Sequence, residues 1–254
     1  SVHRVFLETA KRWPLMVADR VYTETAQRAR AALAGVQSAP GVAKPDPILL
    51  ADNVRKNFGG VVAVDVDHVE VQRGSITALI GPNGAGKTTL FNLLTGFDTP
   101  DAGEWRFDGR SLAKVVAHKT ASMGMVRTFQ LTKSLTKMSV IENMKLGATH
   151  QVGERWWNGL LPFRWKAQEK LIEQRADQLL QRFKLDHMRN EYAGTLSGGQ
   201  RKLLEMSRAL MTNPRLVMLD EPMAGVNPAL KQSLNEHIRG LRDDGMTVLF
   251  VEHD

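Results

Sequence analysis

A glycine-rich segment, GPNGAGKTT at residues 81–89, constrains this chain more than any other part of its sequence. It follows the apolar run Ile76–Ile80, which has the length of a buried strand, and it leads into a helical pattern from Thr88 to Thr95 that ends at Gly96. Glycines let the backbone curl so that successive N–H groups point at an anion, and the following helix presents its positive end to the same anion. The segment therefore predicts a phosphate-binding strand–loop–helix unit.

The order of residues in this segment matches the P-loop pattern, in which glycines lead into a lysine and a hydroxyl residue. The lysine, Lys87, reaches the β- and γ-phosphates of a nucleotide, and the hydroxyl of Thr88 holds Mg²⁺. The predicted nucleotide-binding residues are Gly81, Pro82, Asn83, Gly84, Ala85, Gly86, Lys87, Thr88 and Thr89. A P-loop alone does not define the reaction, because kinases, GTPases, helicases and transport ATPases all contain one.

Short apolar runs that alternate with helical patterns predict an α/β fold built around a largely parallel sheet. Buried strands are expected at residues 48–51, 61–66, 76–80, 216–219 and 247–251. The clearest helix begins with Asn227 as its N-cap and Pro228 as its first residue, and it ends at Gly245. From Leu131 to Thr195 no strand run occurs, and apolar residues at helical spacing indicate a helical insertion, namely Leu171, Ile172, Leu179, Leu180 and Phe183.

The composition excludes several classes of protein. The chain has 254 residues and no cysteine, so disulfides, thiolate metal sites and cysteine nucleophiles are excluded. No apolar run approaches the roughly 20 residues that cross a bilayer. The net charge of +7 favours an anionic partner, whether a nucleotide, a nucleic acid or a membrane face.

Residues 1–47 differ in composition from the rest and are predicted to form an N-terminal basic extension and linker. Basic residues outnumber acidic ones there, and Pro40, Pro45 and Pro47 indicate a linker ahead of residue 48. The extension is interpreted either as an arm that contacts lipid headgroups or a partner, or as one or two solvated helices or part of a neighbouring domain.

Two further motifs narrow the function. The first, LSGGQ at residues 196–200, has capping-box spacing between Ser197 and Gln200, and a glycine-rich helix start is itself an anion site. The second, RLVMLDE at residues 215–221, predicts a buried strand that brings Asp220 and Glu221 to the edge of a sheet. The capped helix and the anion site are compatible interpretations of LSGGQ. Beside a P-loop, the two motifs form a coherent set, which disfavours the alternative that Asp220 and Glu221 are only a surface carboxylate pair after a strand.

With these motifs the chain resembles the ATP-binding cassette family, whose signature is LSGGQ, over about residues 48–254. The resemblance implies a P-loop NTPase (RecA-like) core with a mostly parallel sheet, an antiparallel β subdomain near its N-terminal part and a helical subdomain at about residues 131–197. It also implies that two subunits, identical or different, sandwich two ATP molecules. The signature of one subunit then contacts the ATP on the P-loop of the other, which adds as nucleotide-binding residues Ser197, Gly198, Gly199 and Gln200.

The resemblance also implies roles for single residues. Asp220 supports Mg²⁺, and Glu221 polarises the attacking water as general base. Gln130, in the segment RTFQ, resembles the Q-loop glutamine that contacts Mg²⁺ or the water, and His253 resembles the switch histidine that senses the γ-phosphate. Glu221, His253 and Gln130 are thus the predicted catalytic residues, and Phe58 resembles the aromatic residue that stacks on adenine.

The chain departs from the family pattern at two places. The segment RLVMLDE at 215–221 resembles the family's Walker B strand. In the loop after it, Asn227 occupies the position at which the family usually has aspartate, and this removes a charge. The sequence also stops at Asp254, where family members normally continue with further strands. The expectation is either a fragment or a core that is short of its closing elements.

Three stretches resemble the ATPases of branched-chain amino-acid uptake systems: VRTFQ at 126–130, AGVNP at 224–228 and VEHD at 251–254. The resemblance implies an importer's ATPase subunit that uses ATP and Mg²⁺ and is peripheral on the cytoplasmic face of the membrane. Its partners are a second ATPase subunit, permease subunits and, indirectly, a substrate-binding protein. The aromatic cluster of the helical insertion either faces the membrane or permease or packs under its own insertion, and it comprises Trp156, Trp157, Phe163 and Trp165.

Several alternatives remain open at the level of sequence. Related importers carry urea or short amides, and the ATPases of lipopolysaccharide export are similar. A DNA-repair ATPase generally separates the two motifs by a long coiled coil, whereas Ser197 follows Lys87 by 110 residues without sustained heptads. A ribosome-associated ATPase normally carries two cassettes, and a non-catalytic module is disfavoured because Lys87 and Glu221 are both present. Nucleic acid is therefore not expected as a partner.

Overall fold

The structure is a computed structural model that describes residue 31 and residues 43–112, 115–128, 135–148 and 162–252. The described residues from 43 to 128 and from 214 to 252 belong to one unit, here called the core unit. The described residues from 135 to 213 belong to a second, here called the helical unit. None of the helices in these ranges combines the length and apolarity that a bilayer span requires.

The described ranges from residue 43 onward contain eight strands, six α-helices and two short 3-10 helices, Asp186–Met188 and Ala193–Thr195. The strands are β1 (Pro47–Phe58), β2 (Val61–Gln72), β3 (Ile76–Ile80), β4 (Ala102–Phe107), β5 (Arg110–Ser111), β6 (Met125–Arg127), β7 (Leu216–Asp220) and β8 (Thr247–Glu252). The helices are α1 (Lys87–Leu94), α2 (Ala117–Ser122), α3 (Val140–Lys145), α4 (Pro162–Arg182), α5 (Gly198–Leu210) and α6 (Pro228–Asp243).

The first sheet of the core unit is antiparallel, with the strand order β2-β1-β4-β5. β1 and β2 form a long hairpin whose turn is Gly59-Gly60, and both glycines have positive φ angles of 53° and 91° that suit them to a tight turn. The apolar runs at 48–51 and 61–66 marked only parts of these strands. The expectation of a buried strand is wrong for 61–66, where Val61 and Val62 are exposed and only Val64 is buried, because an antiparallel sheet can leave one face to solvent.

The second sheet of the core unit is parallel, with the strand order β3-β8-β7-β6, and this confirms the predicted α/β core. Strands β3, β7 and β8 lie where their apolar runs predicted them, and β7 and β8 are largely buried. The expected burial of β3 is wrong, since its residues are half-buried or exposed; among the described strands β3 lies at the edge of the sheet and pairs only with β8. The sequence did not predict β6, which is three residues long and ends in an arginine. Since parallel strands direct their carboxyl ends to one edge, the segments that follow β3, β7 and β6 leave the sheet on the same side.

One continuous apolar core links the two sheets of the core unit through α1. Buried side chains enter it from the antiparallel sheet, from α1 and from the parallel sheet, among them Leu49, Trp105, Phe91, Leu94, Met218 and Val251. α1 ends at Leu94, one residue before the predicted end at Thr95, which is the C-cap, and Gly96 has a φ angle of 75°. At Gly96 a Cβ atom would lie 2.4 Å from the carbonyl oxygen of Val115, so only glycine fits this position.

The helical unit packs α3, α4 and α5 around a core of its own. The predicted apolar stripe is largely confirmed, since Ile172, Leu179, Leu180 and Phe183 are buried and Leu171 is half-buried. The fully buried Asn143 organises the chain before α3: its Oδ1 accepts from the amide of Leu135, and its Nδ2 donates to the carbonyl of Leu135 at 3.1 Å. The polar group is thereby satisfied inside the core.

A partly buried ionic network joins both sheets of the core unit, and Arg73 is its buried member. Arg73, at the end of β2, donates to Asp46 at 2.9 Å and to Asp108 at 2.6 Å. Arg215, just before β7, also donates to Asp108 and to the carbonyl of Met123 at 2.9 Å. Burial alone would raise the pKa of Asp108, but the hydrogen bonds and charges of the two arginines outweigh it and lower this pKa below its ordinary value.

Asp108→Asn is expected to lower the free energy of unfolding by about 2 kcal/mol at neutral pH, because two arginines lose a charged hydrogen-bond acceptor. A carboxyl group whose pKa is lowered by folding stabilises the protein above its unfolded-state pKa, and this contribution is lost as the pH falls through the folded-state pKa. The difference between variant and parent should therefore shrink below about pH 4 in urea unfolding curves. The exposed Asp67→Asn on β2 is the control, and a difference that persists at low pH would contradict this role.

Candidate nucleotide-binding and hydrolysis site

The P-loop connects β3 to α1 in the core unit, as the sequence predicted. Residues 82–85 are exposed, and the loop reaches α1 through Gly86, which is the N-cap and has a φ angle of 78°. No side chain caps this helix start. The first amides of α1 therefore have no intrahelical acceptor and are available to an anion at the loop.

Lys87 lies at the start of α1, and its side chain is folded back over the loop. Its Nζ donates to the carbonyl oxygen of Gly81 at 2.5 Å and to that of Pro82 at 2.7 Å. The residue is 7% exposed. The ammonium group is thus held against the carbonyl groups that begin the loop, next to the uncapped start of α1, where its charge can attract phosphate.

Gly86 also sets how closely the loop approaches the antiparallel sheet. A Cβ atom at this position would lie 2.0 Å from the carbonyl oxygen of Ala63 on β2. At Gly84, which has a similar φ angle of 82°, a Cβ atom would meet nothing within 4 Å. Both loop glycines therefore have a positive φ angle, which favours glycine. Only Gly86 also lies so close to the backbone of Ala63 that a side chain would not fit.

The carboxylates Asp220 and Glu221 lie at the carboxyl end of β7. All five residues of β7 are buried, and the strand pairs with β6 on one side and β8 on the other. Glu221 has a φ angle of 48°, which is rare for a residue with a side chain, and its amide donates to the carbonyl of Val251 at 3.1 Å. Backbone strain of this kind accumulates at functional positions.

Asp220 pairs with an arginine that sequence reasoning did not single out. Its Oδ2 accepts from Nη2 of Arg127 at 2.5 Å, and the two side chains are 2% and 4% exposed. Its buried Oδ1 accepts no hydrogen bond from any described residue. The signal that was available in the sequence is the charged residue at the end of the short apolar segment Met125–Arg127, directly before the Q-loop segment.

Phe58 is the last residue of β1 and is 50% exposed. Its ring is exposed beside Val61 and Val62, which lie on β2 shortly before the P-loop contact at Ala63. Nζ of Lys56 lies 5.1 Å from the ring centroid. The hairpin thus presents an apolar, aromatic surface near the loop, which is the type of surface that a base stacks on.

The LSGGQ motif begins α5 in the helical unit. Ser197 is the N-cap, its Oγ accepts from the amide of Gln200 at 3.3 Å, and its amide donates to Oε1 of Gln200 at 2.9 Å. This is the capping box that the spacing predicted. Ser197 and Gly198 are exposed and Gly199 is half-buried, so the start of α5 is accessible to an anion.

Asn227 caps α6, as the sequence predicted. Its Oδ1 accepts from the amide of Leu230 at 2.9 Å, and Pro228 is the first helical residue. Three predicted site features lie outside the described residues: Gln130, His253 and the aromatic pair Trp156 and Trp157. Their roles remain predictions.

The comparisons with known proteins agree on one family. A family model described as ABC transporter matches residues 64–224. The chain is 42% identical over 206 residues to the probable branched-chain amino acid transport ATP-binding protein LivG of Archaeoglobus fulgidus, with 81% of this chain and 79% of that protein covered. It is 39% identical over 210 residues to the high-affinity branched-chain amino acid transport ATP-binding protein BraF of Pseudomonas aeruginosa, with 82% of each chain covered.

Solved structures agree as well. The crystal structure of MJ1267 in its ADP conformation, described as an ATP-binding cassette of an ABC transporter, matches with a TM-score of 0.69 and 38% identity. It covers 82% of this chain, which covers 81% of it. The fold and the site thus define a P-loop nucleotide-binding ATPase. Within that class, the chain belongs to the ABC transporter family.

Gly86→Ala is expected to unfold at a markedly lower temperature than Gly84→Ala and to lose nucleotide binding. Both substitutions place alanine at a positive φ angle, which costs about 1–2 kcal/mol, but only Gly86→Ala adds a clash with the backbone of β2. Thermal unfolding without nucleotide measures the difference, since it is independent of any contact to the phosphates. Equal melting temperatures for the two variants would contradict the close packing of the loop on β2.

Proposed function

We propose that the chain is the ATP-hydrolysing subunit of an importer for branched-chain or other hydrophobic amino acids. The observation that supports this most directly is the identity of about 40% to LivG and BraF proteins over four fifths of the chain. No observation favours urea or amide uptake, lipopolysaccharide export, or an ATPase that acts on nucleic acid or ribosomes. The site supplies the chemistry that such a subunit needs, namely phosphate binding, metal binding and activation of water.

In this proposal the P-loop, residues 81–89, binds the phosphates of ATP. The loop amides and the start of α1 surround the β-phosphate, and the charge of Lys87 offsets the charge of the β- and γ-phosphates. Phe58 supplies the face on which adenine stacks, because it is the exposed aromatic side chain of the hairpin that packs on Gly86.

The residues at the carboxyl edge of the sheet fit Mg²⁺. The buried Oδ1 of Asp220 accepts no hydrogen bond from the described residues, so a cation or its bound water would satisfy a carboxylate oxygen that is otherwise costly to bury. The exposed hydroxyl group of Thr88, at the start of α1, is the second candidate ligand. When bound, Mg²⁺ neutralises charge on the β- and γ-phosphate oxygens.

Glu221 is the proposed general base. It directly follows Asp220, it is buried, and its strained φ angle fixes the direction in which its side chain leaves the strand. Gln130 and His253 are proposed to contact the metal or water and the γ-phosphate, on the strength of their positions in the sequence after β6 and β8.

A second ATPase subunit, identical or different, completes the site in this proposal. The exposed helix start at Ser197 to Gln200 would contact the ATP bound by the P-loop of the partner subunit, so that two positive helix ends face one polyanion. The two subunits would close around ATP and open after hydrolysis, and this movement would be transmitted to permease subunits. A substrate-binding protein would deliver the substrate to the permease. Since ATP is cytoplasmic, the chain is placed on the inner face of the membrane.

Glu221→Gln is expected to retain ATP binding and to reduce turnover by at least about a hundredfold, because an amide does not accept the proton of the attacking water. Equilibrium titration with ATP and phosphate release measure the two effects separately. Lys87→Ala is the matched control, since it is expected to lose binding and turnover together. Turnover of Glu221→Gln at the parent rate would show that another residue is the base.

The transport proposal is tested by reconstituting this chain in proteoliposomes with the permease subunits and the substrate-binding protein of a branched-chain amino-acid uptake system. Binding protein loaded with leucine, isoleucine or valine is expected to stimulate ATP hydrolysis several-fold, because substrate delivery is coupled to closure of the two ATPase subunits. Urea and acetamide are the comparison ligands. Stimulation by these amides and not by leucine would refute the amino-acid assignment and leave the ATPase assignment intact.

A further inference from the structure

Arg127 connects three elements of the core unit at the edge where β7 ends. Its Nη2 donates to Oδ2 of Asp220 and its Nη1 donates to Oδ1 of Asn92 on α1, each at 2.5 Å. The guanidinium carbon lies 5.5 Å from the ring centroid of Phe91, also on α1. The residue itself ends β6, which pairs with β7. One side chain thus joins the P-loop helix to the Walker B carboxylate.

The contact on α1 is one helical turn from the proposed metal ligand. Asn92 follows Thr88 by four residues, so the two side chains lie on the same face of α1. The contacts therefore run from the face of α1 that carries Thr88, through Asn92 and Arg127, to Asp220. Arg127 thus contacts Asp220 directly, and its second partner, Asn92, lies one helical turn from Thr88.

Arg127 also determines which oxygen of Asp220 is available. A planar guanidinium group holds two acceptors in fixed directions, whereas a lysine ammonium group does not. Arg127 engages Oδ2 of Asp220, and Oδ1 is the oxygen that accepts no hydrogen bond from the described residues. With Oδ2 held, rotation of the carboxylate is restricted, and Oδ1 stays directed at a single place.

We propose that Arg127 is a positioning residue that orients Asp220 for Mg²⁺ in the nucleotide complex. This inference rests on the proposed role of Asp220 in holding Mg²⁺. Arg127 does not touch the nucleotide or the metal; it acts through the carboxylate that it fixes. Partners of a metal ligand that hold it in place contribute to metal affinity in proportion to how well they fix its orientation.

A purely structural role for Arg127 makes a different prediction. Removing one member of a buried ion pair leaves a buried charge without compensation and lowers stability whether or not the pair serves a metal. A structural role would therefore weaken nucleotide binding equally with and without Mg²⁺. A positioning role would weaken only the part of the binding that depends on Mg²⁺.

The test measures the affinity for ATPγS in saturating Mg²⁺ and in EDTA, and takes the ratio of the two as the Mg²⁺ effect. Arg127→Met is expected to lower this ratio about tenfold, as is typical when the partner of a metal ligand is removed. Affinity in EDTA should change little. Arg127→Lys keeps the positive charge but not the two N–H donors that the guanidinium group holds in fixed directions. The Mg²⁺ ratio of this variant should therefore also fall.

Asn92→Ala is the milder variant. It leaves the Arg127–Asp220 pair in place and removes only Oδ1 of Asn92, the second hydrogen-bond acceptor of Arg127. It is expected to lower the ratio by about threefold, less than Arg127→Met does, since one of the two fork contacts remains. This variant carries the test if Arg127→Met does not fold. Arg73→Met is the control for the loss of a buried, paired arginine: it should lower the melting temperature and leave the ratio unchanged.

Asp220→Asn separates this inference from the proposed metal site. If Asp220→Asn leaves the Mg²⁺ ratio unchanged, the proposed metal role of Asp220 is wrong. If it lowers the ratio while Arg127→Met and Asn92→Ala do not, only the inference about Arg127 fails. In the Asp220→Asn background, Arg127→Met should cause no further loss, and a further loss of similar size would show that Arg127 acts independently of Asp220.

Discussion

Parallel pairing of β3, β8 and β7 is the constraint on which the site depends. In a parallel ladder the carboxyl ends of neighbouring strands lie at one edge, so the P-loop after β3 and the carboxylates after β7 emerge together. β8 lies between the other two strands and keeps them at fixed spacing. Residues that are separated by more than a hundred positions in the chain are thereby brought to one edge of the sheet.

Charged groups are partly or fully buried at two places in the core unit, and the two places have different consequences. The network of Arg73, Asp108 and Arg215 satisfies both oxygens of its central carboxylate, and its effect is to join the two sheets. The pair of Arg127 and Asp220 satisfies only one carboxylate oxygen among the described residues. A fully satisfied group stabilises the fold, whereas a half-satisfied one has capacity left for a ligand.

In the proposed mechanism, two subunits contact one ATP molecule from opposite sides. The P-loop presents a helix start with no side-chain cap, and the signature helix presents an exposed one whose N-cap is Ser197. Each is a weak anion site alone, because a helix end carries only about half a unit charge. Joining two of them across one triphosphate makes nucleotide binding and subunit association a single event, which is how hydrolysis would be converted into movement of a permease.

Much of this protein is readable from its sequence, since the features concerned are local. The P-loop, the capping box at Ser197, the cap at Asn227 and the buried strand β7 all depend on residues within a few positions of each other. The residue types in these segments determine their chemistry. The sequence pattern was therefore enough to predict a nucleotide site and an α/β fold. The family resemblance supplied what the pattern did not, namely the two-subunit arrangement and the roles of Gln130, His253 and Phe58.

Tertiary structure decided what depends on contacts between distant segments. The hairpin β1–β2 extends well beyond its apolar runs because the pairing partner, rather than the hydrophobicity of each strand, sets its length. The close approach of Gly86 to Ala63 and the pairing of Arg127 with Asp220 join segments that are 23 and 93 positions apart. No local pattern encodes such a contact, because its energy arises only when packing excludes water from both groups at once.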